Sequence, residues 1–175
     1  MATTARALPI AAALLALLSA SRALPAQSAE AETVKRVIRE ETESYYRRDA
    51  DAWAGTWVND STAIRTFITS TSFSVSRGWD TFGPSTVASL RKDPTPQHVQ
   101  IDRTNYVLRI DGRLAWAEYD ERTTGLPDGV PLVARQQRTL VKRNGKWRIL
   151  SGGSFVESTY GAKRQAAGTT QASPR

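Results

Sequence analysis

Two carboxylates and a tryptophan alternate along one segment that is predicted to be a β-strand. In the run Leu114-Ala115-Trp116-Ala117-Glu118-Tyr119-Asp120, every second side chain points to the same face, so Trp116, Glu118 and Asp120 share a face. Carboxylates beside an aromatic ring are unusual for a protein core. Two carboxylates within hydrogen-bond reach of one water molecule are able to activate it. Glu118 and Asp120 are therefore the catalytic candidates of this sequence.

A further carboxylate lies on a predicted amphipathic helix over residues 30–48. The apolar side chains of this helix recur at helical spacing: Val34, Val37, Ile38 and Tyr45. Glu41 lies on the same stripe, where burial raises the pKa of a carboxyl group unless an arginine such as Arg138 or Arg65 reaches it. Glu41 is a candidate general base or ligand-binding group. The alternative is that it lies in water at the edge of the stripe.

Two more helices and six strands are predicted after this helix. Asp49 or Asp51 caps a short second helix, and a third helix covers residues 80–92. The predicted strands cover residues 62–69, 72–77, 98–110, 113–124, 132–143 and 146 to about 160. Asp111-Gly112 and Asn144-Gly145 are tight hairpin turns between neighbouring strands. Helices followed by a long antiparallel sheet indicate the α+β class.

Five sequence motifs, taken in order, carry a family resemblance. They are 40–46, 48–53, 57–62, 77–80 and the hairpin 139–150. In this order the chain resembles the nuclear transport factor 2-like superfamily, which includes the SnoaL-like proteins and the ketosteroid isomerases, over residues 30–160. The resemblance implies three N-terminal helices packed in a strongly curved, mixed or antiparallel sheet of about six strands. Such a cone-shaped α+β barrel holds a pocket.

The resemblance also implies which side chains face this pocket. The family pattern places Trp116 and Glu118 towards the cavity, with Arg138 beside Glu118 on the neighbouring strand. A buried pair of Glu118 and Arg138 either presents spare donors to an anion or only fixes the strand register. The ligand-binding candidates are Glu41, Tyr45, Trp57, Arg65, Trp79, Trp116, Glu118 and Arg138. For the tryptophans, packing in the core is the alternative.

The catalytic pattern of the ketosteroid isomerases does not carry over to this chain. Those enzymes use a tyrosine on the first helix and an aspartate base after the second helix. The match puts Glu41 near the tyrosine position and Arg65 at the position of the base. Arginine cannot abstract a proton, so isomerase chemistry of that kind is disfavoured.

Cofactor and metal chemistry are not expected. The sequence has no cysteine and only one histidine, His98, which starts a strand after a proline-rich loop and is predicted to be exposed. A metal ion would have to be bound by carboxylates alone.

The two ends of the chain are predicted to lie outside the domain. Arg6, the apolar run 7–18 and the small residues that follow have the layout of a secretory signal peptide over residues 1–26, with the cut between 23 and 29. The run is too short for a membrane span, so the chain is expected to be exported to the periplasm or secreted, free of the membrane after cleavage. Residues 161–175 carry no apolar side chain larger than alanine and are predicted to be disordered.

The formal charge of +7 is concentrated at these two ends. Five of the 24 basic residues lie there, and the others nearly balance the 17 acidic residues. Nucleic acid binding needs clustered phosphate contacts, and the domain itself supplies no basic stripe. Nucleic acid is therefore not an expected partner.

Three functions fit the sequence. The first is an exported, non-catalytic domain whose cone binds a small anionic or polar-aromatic ligand. The second is a SnoaL-like or epoxide-hydrolase-like enzyme in which Glu118, Asp120 and Arg138 activate water. The third is a structural protein that forms a homodimer through the outer face of the sheet, with side chains such as Val133 and Val141. A homodimer is compatible with either pocket.

Overall fold

The computed structural model describes residues 10–157, with side chains from Ser28 onward. The predicted disordered tail, 161–175, lies outside this part of the chain. The helices are α1 (Ile10–Arg47), α2 (Ala50–Gly55) and α3 (Gly83–Lys92), and the third follows the first two strands and a 3-10 turn at Trp79–Thr81. The strands are β1 (Ile64–Ile68), β2 (Phe73–Arg77), β3 (Gln100–Asp111), β4 (Leu114–Thr124), β5 (Leu132–Arg143) and β6 (Lys146–Val156).

The first helix starts earlier than predicted. α1 runs without interruption from Ile10, whereas the apolar periodicity indicated a start near residue 30. The segment in between is rich in alanine and leucine, the residues with the highest helix propensity, so the helix continues through it. Within residues 10–157, no helix is both long and apolar enough to cross a membrane.

α1 lies against the sheet through the predicted apolar stripe. Val34 and Ile38 are fully buried. At the start of this packed region, the Glu30 carboxylate accepts hydrogen bonds from the Trp147 indole nitrogen at 2.7 Å and from Lys142 at 2.5 Å. These bonds lower the pKa of Glu30, the one from Lys142 most. Glu30 therefore connects the helix to β5 and β6.

The cap of α2 is one of the two residues that its sequence suggests. Asp49 is the N-cap, and its carboxylate accepts a hydrogen bond from the Ala52 amide at 3.0 Å. α2 ends at Gly55. The predicted start of the third helix at Asp80 is a 3-10 turn instead, and α3 begins at Gly83. Pro84 lies in the first turn of α3, where its missing amide hydrogen is not needed.

The six strands form one mixed sheet in the order β2-β1-β6-β5-β4-β3. β1 runs parallel to β6, and every other neighbouring pair is antiparallel. At the turn between β5 and β6, Asn144 and Gly145 have φ angles of 50° and 73°. Both values lie in the left-handed region that a tight two-residue hairpin requires, as the Asn-Gly pair predicted.

Bulges contribute to the strong curvature of the sheet. On β3 the register shifts between Thr104 and Val107, and on β6 it shifts opposite Thr139 and Leu140. An extra residue in one strand bends it and increases its twist. The concave face so formed holds the helices, and the predicted α+β class with a curved six-stranded sheet is confirmed.

The hydrophobic core fills the space between the helices and the concave face. Its largest fully buried side chains are Trp53, Trp147, Tyr119, Ile38, Leu90, Leu140 and Ile149. Trp53 stacks on Trp79 with ring centroids 5.7 Å apart and lies 6.2 Å from Trp57. Trp57 in turn contacts the edge of Phe82 at 5.1 Å. The tryptophans of α2 and its flanks are thus mainly core side chains.

Gly152 on β6 is required for this packing, and its replacement by alanine should destabilise the fold. A methyl group on Gly152 would lie 2.8 Å from the Trp57 ring and 3.6 Å from Cδ of Arg138. Trp57 is buried, so its ring has to shift to admit the methyl group, and we expect Gly152→Ala to lower the free energy of unfolding by about 1–3 kcal/mol in urea denaturation. Gly55→Ala is the control, because no atom lies within 4 Å of its new methyl group. Equal stability of the two variants would contradict the prediction.

Candidate functional site

A group of polar side chains lies buried on the concave face of the sheet, beneath α1. We call it the inner polar cluster: Glu41 of α1, Arg103 and Tyr106 of β3, Tyr119 and Glu121 of β4, and Gln136 and Arg138 of β5. Alternation along β4 and β5 directs these side chains towards the helices. The cluster is the most polar part of an otherwise apolar interior.

Arg138 and Glu41 form one ion pair of this cluster. Nη2 of Arg138 lies 3.2 Å from Oε2 of Glu41, and the two side chains are only 6% and 12% exposed. Nη1 of Arg138 also donates to Oε1 of Gln136 at 3.0 Å and to the main-chain carbonyls of Gln137 and Gly153. Arg138 therefore faces the helices, and of the two arginines considered for Glu41 it is the one that reaches this carboxylate.

Arg103 and Glu121 form a second buried ion pair. Nε of Arg103 lies 2.8 Å from Oε2 of Glu121, and the side chains are 8% and 6% exposed. Gln136 donates to the other oxygen of Glu121 at 3.3 Å. Burial raises the pKa of Glu121, although Arg103 and Arg138 act in the opposite direction. Because Gln136 also accepts from Arg138, it joins the two ion pairs into one network.

Several buried atoms of this region have no hydrogen-bond partner among residues 10–157. They are the hydroxyl oxygens of Tyr106, Tyr119 and Thr123, Nη2 of Arg103 and Nε of Arg138. Each carries a hydrogen and is able to donate. Leaving such a group unpaired in a protein interior costs about 1–3 kcal/mol. Most buried polar groups in folded proteins are paired, so this concentration of unpaired donors is the main chemical feature of the site.

Two tyrosines connect the cluster to a surface groove. The rings of Tyr106 and Tyr119 stack with centroids 4.6 Å apart and an interplanar angle of 19°. Tyr106 also lines a groove of about 310 Å³ with Ala31, Lys35, Leu108 and Ile110. Burial raises the pKa of both tyrosines, so their hydroxyls stay protonated. Tyr106 is therefore shared between the groove and the stack with Tyr119.

Arg65 adds a third arginine to the concave face. Its Nη1 donates to Oγ1 of Thr86 on α3 at 3.3 Å, and its guanidinium lies 6.0 Å from the centre of the Phe82 ring. In the sheet, Arg65 and Arg138 are the neighbours of Gly152 on either side. Three arginines and two glutamates thus give this part of the concave face an excess of positive charge.

The expectation that Trp116 and Glu118 face the cavity beside Arg138 is wrong. Arg138 is the register partner of Ala117, and Glu118 is paired with Gln137 on the opposite face of the sheet. On that convex face Glu118 and Asp120 lie 2.5 and 2.9 Å from the guanidinium of Arg135.

The physical reason for this reversal is the composition of the two faces of β4. Ala115, Ala117 and Tyr119 are almost completely buried, and the small alanines leave room for the helices. The alternate set, which carries Glu118 and Asp120, faces water. Glu118, Asp120 and Arg138 therefore do not come together as the water-activating group that the enzyme hypothesis requires. Asn105 and Arg135 instead bind Asp120 and lower its pKa, Asn105 most.

The convex position of Glu118 has a testable consequence. Its partner Arg135 is half exposed, and ion pairs in such surroundings contribute little to stability because water screens them. We expect Glu118→Gln to leave the midpoint of urea unfolding unchanged within experimental error. A clear fall in that midpoint would mean that Glu118 is buried against a partner.

The predicted aromatic ligand residues are not all brought together. Trp57 lies near Arg138, since a methyl group on Gly152 would contact both side chains. Trp79 packs on Trp53, and Tyr45 packs on Tyr46 with ring centroids 5.4 Å apart. Both side chains therefore pack against other aromatic residues of the helices and their flanks.

Sequence reasoning missed five members of the cluster, namely Arg103, Tyr106, Tyr119, Glu121 and Gln136. Tyr119 and Glu121 follow the buried alanines of β4 in the same alternation, and this signal was present in the sequence. Arg103 and Tyr106 could not both be assigned to the concave face from the sequence. A bulge between them shifts the alternation of β3 by one residue. Within residues 28–157, no group of three or more typical metal-binding side chains lies together.

No protein-family model matches the sequence, and no curated protein matches it. Solved structures match in fold. A protein of unknown function from Mycobacterium tuberculosis is 18% identical over 77% of this chain and 75% of its own length, with a TM-score of 0.59.

Two further matches are NTF2-like proteins of unknown function. The one from Silicibacter pomeroyi is 13% identical over 74% of this chain and 98% of its own, with a TM-score of 0.57. The one from Pseudomonas putida is 14% identical over 74% of this chain and 87% of its own, with a TM-score of 0.56. At these identities a match establishes the fold alone. The helices, the curved mixed sheet and these matches together show that the chain has the nuclear transport factor 2-like fold.

Proposed function

We propose that the chain is an exported domain that binds a small molecule between its helices and the concave face of the sheet, without catalysing a reaction. One observation carries this proposal. The inner polar cluster buries several hydrogen-bond donors that have no partner in residues 10–157. A polar ligand that pairs with them would remove the cost of leaving them unpaired.

The absence of catalysis is proposed from the state of the two buried carboxylates. Glu41 is bound to Arg138, and Glu121 is bound to Arg103 and Gln136. A general base has to be free to take a proton from its substrate, and neither group is. Arg65, on the strand after α2, cannot take this role because arginine stays protonated.

A binding screen tests the proposal. Thermal unfolding of the protein is followed with small carboxylates, amides, alcohols and steroids at millimolar concentration, since a ligand of the folded state raises its stability in proportion to RT ln(1 + [L]/Kd). We expect at least one class to raise the melting temperature of the wild type and of Glu118→Gln equally. If no class raises it, the proposed binding function is wrong.

Export is proposed from the N-terminal sequence and fits the packing of α1. Glu30 is joined to Trp147 and Lys142, so a cut between Ala23 and Glu30 would keep this contact. The full chain, expressed in a bacterium with its own N-terminus, is expected to appear outside the cytoplasm with a mature N-terminus in that interval. Secreted protein that begins at Met1, or protein found only in the cytoplasm, would contradict export.

We also propose that the convex face of the sheet forms a homodimer. All five exposed large hydrophobic side chains of residues 28–157 lie on this face: Ile64, Phe73, Val107, Leu114 and Phe155. The Arg135, Glu118 and Asp120 charges there are already paired, so a second copy would meet little repulsion. Light scattering after gel filtration should give twice the chain mass, and Leu114→Asp should give the monomer. A monomeric wild type at high micromolar concentration would contradict this interface.

A further inference from the structure

The balance of donors and acceptors in the inner polar cluster narrows the class of ligand, provided that the proposed binding function holds. Most acceptor groups of the cluster already accept hydrogen bonds. Glu121 accepts from Arg103 and Gln136, and Oε1 of Gln136 accepts from Arg138 and from Ser154. The partner of Glu41 is Arg138. A ligand therefore gains little by donating hydrogen bonds here.

The unpaired atoms, by contrast, all carry hydrogens. Two are guanidinium nitrogens, of Arg103 and Arg138, and guanidinium has no acceptor. Three are hydroxyls, of Tyr106, Tyr119 and Thr123. The complementary ligand group is one that presents acceptor oxygens.

The charge of the concave face favours an anion. Arg65, Arg103 and Arg138 outnumber Glu41 and Glu121, and Arg39 of α1 adds positive potential at Tyr106. A carboxylate matches this excess and fits the planar donor geometry of an arginine. A phosphate monoester brings close to two negative charges, which cost more to remove from water than the single charge of a carboxylate.

The groove beside Tyr106 is suited to the rest of the ligand. Ala31, Leu108 and Ile110 are apolar, and the groove volume of about 310 Å³ is at the lower end of the range for small-molecule sites. Tyr106 belongs to both the groove and the tyrosine stack, and its own hydroxyl is one of the unpaired donors.

We propose that the ligand of this site is a small monocarboxylate with an apolar body. Its carboxylate accepts hydrogen bonds from Tyr119 and Arg138, and its apolar body lies against Tyr106 in the groove. Aryl carboxylates and short alkyl carboxylates have this chemistry.

The test compares matched probes by calorimetry. Benzoate and hexanoate are titrated into the full chain beside benzamide and hexanamide, which keep the body and remove the charge, and beside phenyl phosphate. We expect at least one carboxylate to bind at least tenfold more tightly than its amide and than phenyl phosphate. A hydrogen bond to a charged group is worth about 1.5–3 kcal/mol, which corresponds to about tenfold or more in affinity.

Tyr119→Phe is the diagnostic variant, since it removes only a hydroxyl that has no partner and keeps the ring stacked on Tyr106. The carboxylate should bind about tenfold more weakly to it, while Glu118→Gln binds as the wild type does. Should Tyr119→Phe fold poorly by circular dichroism, Thr123→Val gives the same comparison. Amides or phenyl phosphate that bind as tightly as the carboxylates would overturn the ligand class but not the pocket. Failure of every compound in the wider screen would overturn the pocket itself.

Discussion

Arg138→Ala is expected to lower the free energy of unfolding by about 3–5 kcal/mol, because it leaves Glu41 charged and buried without a partner. The two side chains are 6% and 12% exposed, so water reaches Glu41 poorly once the guanidinium is gone. The change also removes the donor to Gln136 and the aliphatic stem above Gly152. Urea denaturation monitored by tryptophan fluorescence measures the loss.

Arg135→Ala is the matched control for this prediction. Arg135 lies on the same strand but points to the convex face, where it is half exposed. Its replacement should leave the urea midpoint nearly unchanged. The double variant Glu41→Gln with Arg138→Met should be clearly more stable than Arg138→Ala, since it leaves no unpaired charge at positions 41 and 138. A double variant no more stable than the single one would show that the ion pair is not the cause.

Arg103→Met should produce a loss of stability that depends on pH. Burial raises the pKa of Glu121, and Arg103 is the strongest influence that lowers it, so without Arg103 this pKa rises further. In the unfolded chain the carboxyl has its ordinary pKa. Below that value Glu121 is protonated in both states and its burial costs little. As the pH rises through the folded-state pKa, the folded chain has to bury an unpaired carboxylate, and stability is lost.

We therefore expect Arg103→Met to be close to the wild type in stability near pH 4 and weaker by about 3–5 kcal/mol near pH 8. Unfolding in urea at several pH values gives the profile. Adding Glu121→Gln should restore stability and remove the additional pH dependence. A cost that is constant across this range, or larger at low pH, would mean that Glu121 is not the group responsible.

Much of the fold could be predicted from the sequence because its signals are local. Asn144-Gly145 fixes a hairpin by backbone conformation, and Asp49 caps α2 through a neighbouring amide. The strand limits followed from β-branched runs between turn residues. The start of α1 was missed because periodicity marks only the part of a helix that packs on a sheet.

The candidate site was predicted only in part, because its members meet through long-range register. Glu41 and Arg138 were both identified, and an arginine near Glu41 was foreseen from the cost of burying a lone carboxylate. The concave face of β4 was assigned wrongly. As a result, Glu118 was predicted to lie in the site, whereas Tyr119 and Glu121 lie there. Alternation fixes the facing of every residue once one is known, so a single error is carried along the whole strand.

The parallel pairing of β1 with β6 determines when the fold is able to form. Ile64 is the register partner of Ser151, so the β1–β2 hairpin has no place in the sheet until the last strand has been synthesised. A two-stranded hairpin alone is marginally stable in water. The packing of α1 also depends on these strands. Glu30 and Glu41 of α1 are bound by Trp147 and Arg138, which belong to the last two strands. The fold thus assembles late and through contacts distant in sequence, which is the arrangement associated with slow folding.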